Sequence, residues 1–151
     1  MNVTSRTTMP RRAFTLVEMV VVIMILGILA AIAVPKLINT SGVATDNGLR
    51  QSLSIVRDAI DYYSAQNGGA YPGADGSETT LKNDLKPYIR GSFPKCPVEN
   101  KLDTVRIETT AGTTPANPSS GHGWVYNNKD GTFIVNSTAT SHDGTTTYDK
   151  F

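Results

Sequence analysis

The chain has 151 residues, with 14 Lys and Arg against 13 Asp and Glu, a length that holds one domain and leaves little room for a second core. Arg6, Arg11 and Arg12 all precede Phe14, so without residues 1–13 the balance becomes 11 basic to 13 acidic. A nearly neutral chain with no basic stripe excludes an electrostatic footprint for nucleic acid, and the single cysteine, Cys96, excludes an intramolecular disulfide or a cysteine-based metal cluster within one chain.

The first element in chain order is the most informative. Met19 to Val34 runs sixteen residues without a charge or a hydrogen-bonding side chain, and extending it back to Phe14 gives twenty-one residues in which Glu18 is the one charge. About 20 apolar residues cross a bilayer core as a helix. Arg11 and Arg12 stand directly before this stretch, so the positive-inside rule places the N-terminus in the cytoplasm and the rest of the chain outside. A secretory signal peptide fits poorly, because its apolar region is only ~7–15 residues and cleavage follows it. A plain anchor does not explain Glu18, since a carboxylate inside an apolar span is costly unless paired or brought to the interface. Glu18 asks for a partner. Pro35 lacks an N–H and Gly27 lowers helix propensity, so the end of the stretch is expected to be a weak helical segment.

The order Arg11-Arg12-Ala13, Phe14-Thr15-Leu16-Val17-Glu18, then Gly27 and Pro35, resembles the N-terminal signature of type IV prepilins and type II secretion pseudopilins. The resemblance implies a leader, residues 1–13, that a prepilin peptidase removes between Ala13 and Phe14 before methylating the new amine. Glycine usually precedes that cut; Ala13 departs from the pattern but is also small. Met1 and Met9 are both possible starts for the same site. The resemblance further implies a hydrophobic transmembrane and assembly helix over residues 14–38, with Phe14, Glu18, Gly27 and Pro35 as assembly positions, and a periplasmic or extracellular head over residues 39–151. Physical logic agrees with it: after cleavage Phe14 carries an ammonium group, and a neighbouring subunit's amine beside Glu18 would neutralise both charges and set the axial register. Near Pro35 the helix is expected to bend or unwind on filament packing.

Farther along, Asn39 to Asn47 reads as a loosened helix or short break. Leu49, Leu53, Val56, Ile60 and Tyr63 recur at helical spacing opposite Arg50, Arg57, Asp58 and Asp61, which predicts an amphipathic helix stopped by Asn67-Gly68-Gly69. A Pro- and Gly-rich connector precedes a short helix expected over residues 81–89. Val105 to Glu108 alternates like a strand, and Thr109 to Gly123 reads as a mobile polar stretch. The segments Gly123 to Asn127 and Thr132 to Asn136 flank an Asp130-Gly131 turn and predict a β-hairpin, with Trp124, Tyr126, Phe133 and Val135 as candidates for its packed side and the choice of face open.

This order predicts an α+β chain, a long N-terminal helix continuing into an amphipathic helix packed on a small antiparallel sheet, and it resembles the pilin head. Leu85-Lys86-Pro87-Tyr88, Phe93-Pro94-Lys95-Cys96-Pro97 and Gly123-Trp124-Val125-Tyr126 look most like short G-type pseudopilins. That likeness implies calcium in the loop near the C-terminus, for which Asp143, Asp149, Thr145 and backbone carbonyls would be the ligands. It also implies partners: copies of the chain in a helical homopolymer, the prepilin peptidase, minor pseudopilins and an inner-membrane assembly platform. His122 and His142 stand in no catalytic or zinc spacing, so no enzyme is expected. The function expected is a type II secretion pseudopilus subunit, with a surface type IV pilin for adhesion, motility or DNA uptake as the alternative. A membrane-tethered binding module is a third reading, which rests on Trp124 and the tyrosines.

Overall fold

The computed structural model of the chain describes residues 14–99, 102–112 and 114–151, the side chains of 35–39 excepted. The elements in order are helix α1 (Leu16–Gln66), helix α2 (Glu78–Leu85), strand β1 (Val105–Glu108), strand β2 (Trp124–Asn127) and strand β3 (Phe133–Val135), with short 3-10 turns at Pro118–Ser120 and Tyr148–Lys150. The chain divides into two compact units, Met1–Ile38 and Asn39–Phe151.

In the first unit the described residues are almost entirely the apolar part of α1. Its side chains are apolar on every side, so no face is set apart for a core, and the large ones from Phe14 to Val34 are 47–79% exposed. The helix assignment passes through both Gly27 and Pro35.

The second unit builds a core in the ordinary way. Leu49, Leu53, Val56, Ala59 and Ile60, spaced by three and four, are at most 2% exposed on one face of α1. They join Leu81 and Leu85 of α2, Val105 of β1, and Trp124, Tyr126, Phe133 and Val135 in one cluster. The hairpin therefore turns toward the helix the face carrying all four of its anticipated core residues. The pairs Trp124–Val135 and Tyr126–Phe133 lie directly opposite each other in the antiparallel β2–β3 ladder. Phe133 is the centre of an aromatic group, with ring centroids 5.2 Å from Trp124, 6.2 Å from Phe93 and 6.5 Å from Tyr126. The polar ends of the buried aromatics are satisfied: Trp124 Nε1–H donates to Pro94 O at 3.0 Å and the Tyr126 hydroxyl to Pro72 O at 3.1 Å.

The structure departs from the sequence reading in four places. The sheet is mixed, because β1 runs parallel to β2 while β2 and β3 are antiparallel. Residues 39–47, read as a loosened helix or a short break, are continuous helix: the Thr45 hydroxyl bonds back to Ser41 O at 3.1 Å, and Asp46 is held by distant residues. Helix α2 starts and stops earlier than expected, and Pro87, which has no N–H to donate, lies just past its end. The described residues between Thr109 and Gly123 are pinned by long-range bonds. Asn127 Nδ2 donates to Thr110 O at 2.8 Å, and Gly112 N–H donates to Asp130 Oδ2 at 3.1 Å. Asn136 accepts from Asn117 N–H at 2.7 Å and donates to Asn117 O, Ser120 Oγ and His122 O, each at 2.9 Å.

The end of the chain returns to α1 within the second unit. The ring of His142 lies against Gly42, where a Cβ would collide with it. Asp46 accepts from His142 N–H and from the Tyr148 hydroxyl, both at 3.0 Å. Arg50 lies 3.7 Å above the Phe151 ring. Arg57 donates through Nε and Nη2 to Phe133 O and through Nη2 to Phe151 O at 2.7 Å. Arg50 and Arg57, which the helical period places opposite the core, thus hold the chain end rather than only facing water.

Candidate functional site

The N-terminal segment is the first candidate. Ala13 lies outside the described residues; Phe14, 75% exposed, stands just before α1. Between Phe14 and Val34 Glu18 is the single charged residue, and it lies in the first turn of the helix. Thr15 and Glu18 close a reciprocal cap. Glu18 N–H donates to Thr15 Oγ1 at 3.2 Å, while Glu18 Oε2 accepts from Thr15 N–H at 2.8 Å and from the Thr15 hydroxyl at 3.0 Å. This is the capping box that Thr-x-x-Glu encodes, and it satisfies two donors that a helix start otherwise leaves open. The spacing was present in the sequence, and a search for capping boxes would have found it.

The cap has an electrostatic consequence. It holds the carboxylate toward the N-terminal end of the helix, 2.8 Å from the nitrogen one residue beyond that of Phe14. A helix N-terminus favours negative charge. Gly27 has nothing within 4 Å of the position a Cβ would take, so no described neighbour requires it to be glycine. Pro35 lies within the α1 range. The stretch Leu16–Val34 is long and apolar enough to cross a membrane.

The loop near the C-terminus is the second candidate. Asp143 Oδ1 accepts from the Ser141 hydroxyl at 2.5 Å and from Thr145 N–H at 2.9 Å, and these donors, the hydroxyl foremost, hold its carboxyl well below the ordinary value. Asp149 lies in the last turn, with Oδ2 3.5 Å from Lys150 Nζ and a buried Oδ1 that has no hydrogen-bond partner among the described residues. No three His, Cys, Asp or Glu side chains gather to hold a metal ion among the described residues. The donor set fits a hard cation only in part. Asp149 Oδ1 is open, Asp143 Oδ1 is taken by donors, and any remaining ligands would be backbone or hydroxyl oxygens.

Residues with other chemistry are occupied structurally. Trp124, on which a binding-module reading depends, is fully buried and cannot meet a ligand. Cys96 is buried, and burial foremost pushes its thiol up to about 11, so it is a packed side chain rather than a nucleophile. His122 Nδ1 lies 3.3 Å from Ser120 Oγ, and His142 packs on Gly42.

Residues 8–34 match the family described as the prokaryotic N-terminal methylation motif. The chain is similar to type II secretion system core protein G of Escherichia coli (strain K12), with 31% identity over 91 residues, 60% of this chain and 62% of that protein. The match therefore spans less than two thirds of that relative. No solved structure matches the chain.

Proposed function

We propose that the chain belongs to the family of type IV pilins and type II secretion pseudopilins, on its G-type side, and is the structural subunit of a type II secretion pseudopilus; the methylation-motif match over residues 8–34 and the similarity to core protein G support this. The family is one of structural subunits rather than enzymes. One observation carries the reading: an apolar helix exposed all round, with its lone carboxylate held at the N-terminal end beside the position where processing would create an amine.

In this reading the prepilin peptidase cuts between Ala13 and Phe14 and methylates Phe14. The segment 14–38 first holds the subunit in the inner membrane, with the N-terminus cytoplasmic and the head periplasmic. Subunits are then drawn into a helical homopolymer, together with minor pseudopilins and an inner-membrane assembly platform, and the growing fibre promotes protein secretion. The capping box lets Glu18 rest on its own Thr15 while the subunit is single. On assembly a neighbour's Phe14 ammonium competes for the same carboxylate and gives it a full counter-charge in a low-dielectric surround. The similarity to core protein G favours this function over a surface pilus.

The test is direct. Deleting the chain from its host should abolish sheared fibres and leave secreted proteins inside, and the mature chain recovered from membranes should begin with methylated Phe14. Intact secretion, or a mature chain beginning elsewhere, contradicts the reading.

For calcium, Asp149 has the stronger claim as a ligand because its buried Oδ1 has no hydrogen-bond partner among the described residues, whereas Asp143 shapes the loop through its bonds to Ser141 and Thr145. Binding should raise the Tm of the protein in calcium relative to chelator, and an unchanged Tm removes the ion from the account.

A further inference from the structure

Helix α1 ends at Gln66, and the chain reverses through Asn67, Gly68 and Gly69. Gly68, at φ +65°, takes the left-handed position that commonly terminates a helix, and Gly69 N–H reaches back to Ser64 O at 2.9 Å. That is the long bond of a Schellman turn. Its companion, from Gly68 N–H to Ala65 O, is not made, and Gly68 N–H has no hydrogen-bond partner among the described residues. Among the described residues outside its chain neighbours, nothing lies within 4 Å of where a Cβ on Gly68 would stand, so this side of the turn is open. The Asn67 side chain next to it is exposed, and among the described residues one bond holds its carboxamide, from Nδ2 to Tyr63 O at 2.8 Å.

We propose that Asn67–Gly68 is a site of self-modification, at which the Gly68 nitrogen converts Asn67 to aspartate or isoaspartate with water as the only co-reactant. Gly68 N gives its proton to hydroxide and forms a bond to Asn67 Cγ. The Cγ–Nδ2 bond breaks as Nδ2 takes a proton from water, which returns the hydroxide, and ammonia leaves, closing a five-membered imide. Water then opens the imide at either carbonyl. One water enters and one ammonia departs, with no oxidation or reduction. Each step needs what this turn supplies: an amide nitrogen free of hydrogen bonds, no Cβ on the attacking residue, and a carboxamide exposed to solvent.

The chain contains its own control. Asn47–Gly48 is the same dipeptide and Asn47 is also exposed, but both residues lie inside α1, where the helical ladder engages Gly48 N–H. Reaction there requires a helical turn to open first. At Asn67 the product carries a new negative charge at the C-terminal end of α1, where the helix dipole disfavours an anion, and the donor to Tyr63 O is lost. The mark therefore weakens the helix end.

The experiment incubates the full-length protein in detergent at mildly alkaline pH and follows both asparagines by peptide mapping with isoaspartate detection. Conversion should be about tenfold or more faster at Asn67 than at Asn47, because only Asn47 must wait for local opening. In denaturant the two rates should converge. Asn67→Gln should abolish conversion at 67 and leave Asn47 as it was, Gly68→Ala should slow it, and Asn67→Asp should lower the Tm. Equal rates in the folded protein, conversion at Asn67 only after unfolding, or a Gly68→Ala rate equal to that of the unaltered protein would each overturn the proposal.

Discussion

Two stretches of α1 use apolar residues in opposite ways. From Phe14 to Val34 the large apolar side chains are roughly half to four-fifths exposed, whereas Leu49, Leu53, Val56 and Ile60 are essentially sealed from solvent. The second stretch puts its apolar residues on one stripe, so a single small sheet and α2 complete it. The first is apolar all round, and no single face packed against another element would cover it. It needs an apolar surround, which a bilayer and then copies of itself would provide. One stretch is covered by its own chain, and the other is left exposed by it.

Substitutions should separate the two. Phe133→Ala, which removes the ring at the centre of the aromatic group, should destabilise the head by about 3–5 kcal/mol, seen as a large fall in Tm. It should leave partition of the chain into membranes unchanged, and a parallel loss of membrane association would erase the distinction between the stretches. Ile23→Lys should do the reverse. A lysine near the centre of an apolar span costs about 2.5–3.5 kcal/mol of insertion, so the membrane-bound fraction should fall while the head's Tm holds.

A smaller effect sharpens what burial does within the head. Burial raises the Cys96 thiol to about 11 and the Tyr148 hydroxyl to about 12. Because these values lie above those of the unfolded chain, the folded state binds more protons in alkali, and stability falls as pH rises through that range. The Tm should therefore be level below about pH 8.5, where an unfolded thiol begins to ionise, and decline above it. Cys96→Ala should delay the onset of that decline. Alkylation of Cys96 in the folded protein at pH 8 should be slow, and rapid labelling would show that the thiol is not sealed in the core.

Much of this division is legible in the sequence because it depends on local pattern. The spacing of Leu49, Leu53, Val56 and Ile60 identifies the buried stripe, and the uninterrupted run after Glu18 identifies the other kind of helix. The hairpin around Asp130-Gly131 follows from turn chemistry. What escaped depends on contacts far apart in the chain. Asn127 and Asn136 look like ordinary strand-end residues until their side chains are seen fastening Thr110, Asn117, Ser120 and His122, and the parallel pairing of β1 has no local signal. Arg57 reads as a solvated helix charge, but it donates to carbonyls 76 and 94 residues away in sequence. At Glu18 the local signal was available in Thr15-x-x-Glu18 and was overshadowed by the expectation of a partner on another subunit.

That partner is the central claim, and the fibre yield of Glu18→Val tests it most directly. With membrane level and N-terminal processing confirmed equal, sheared fractions are compared by immunoblot with the unaltered protein and with Glu18→Asp. If the pairing holds, removing the carboxylate would leave a neighbour's ammonium without its counter-charge and the axial register unset. The variant should therefore remain processed and in the membrane but yield few or no fibres, with Glu18→Asp in between. A normal fibre yield from Glu18→Val would contradict the account and leave Glu18 as a residue that only caps its own helix through Thr15.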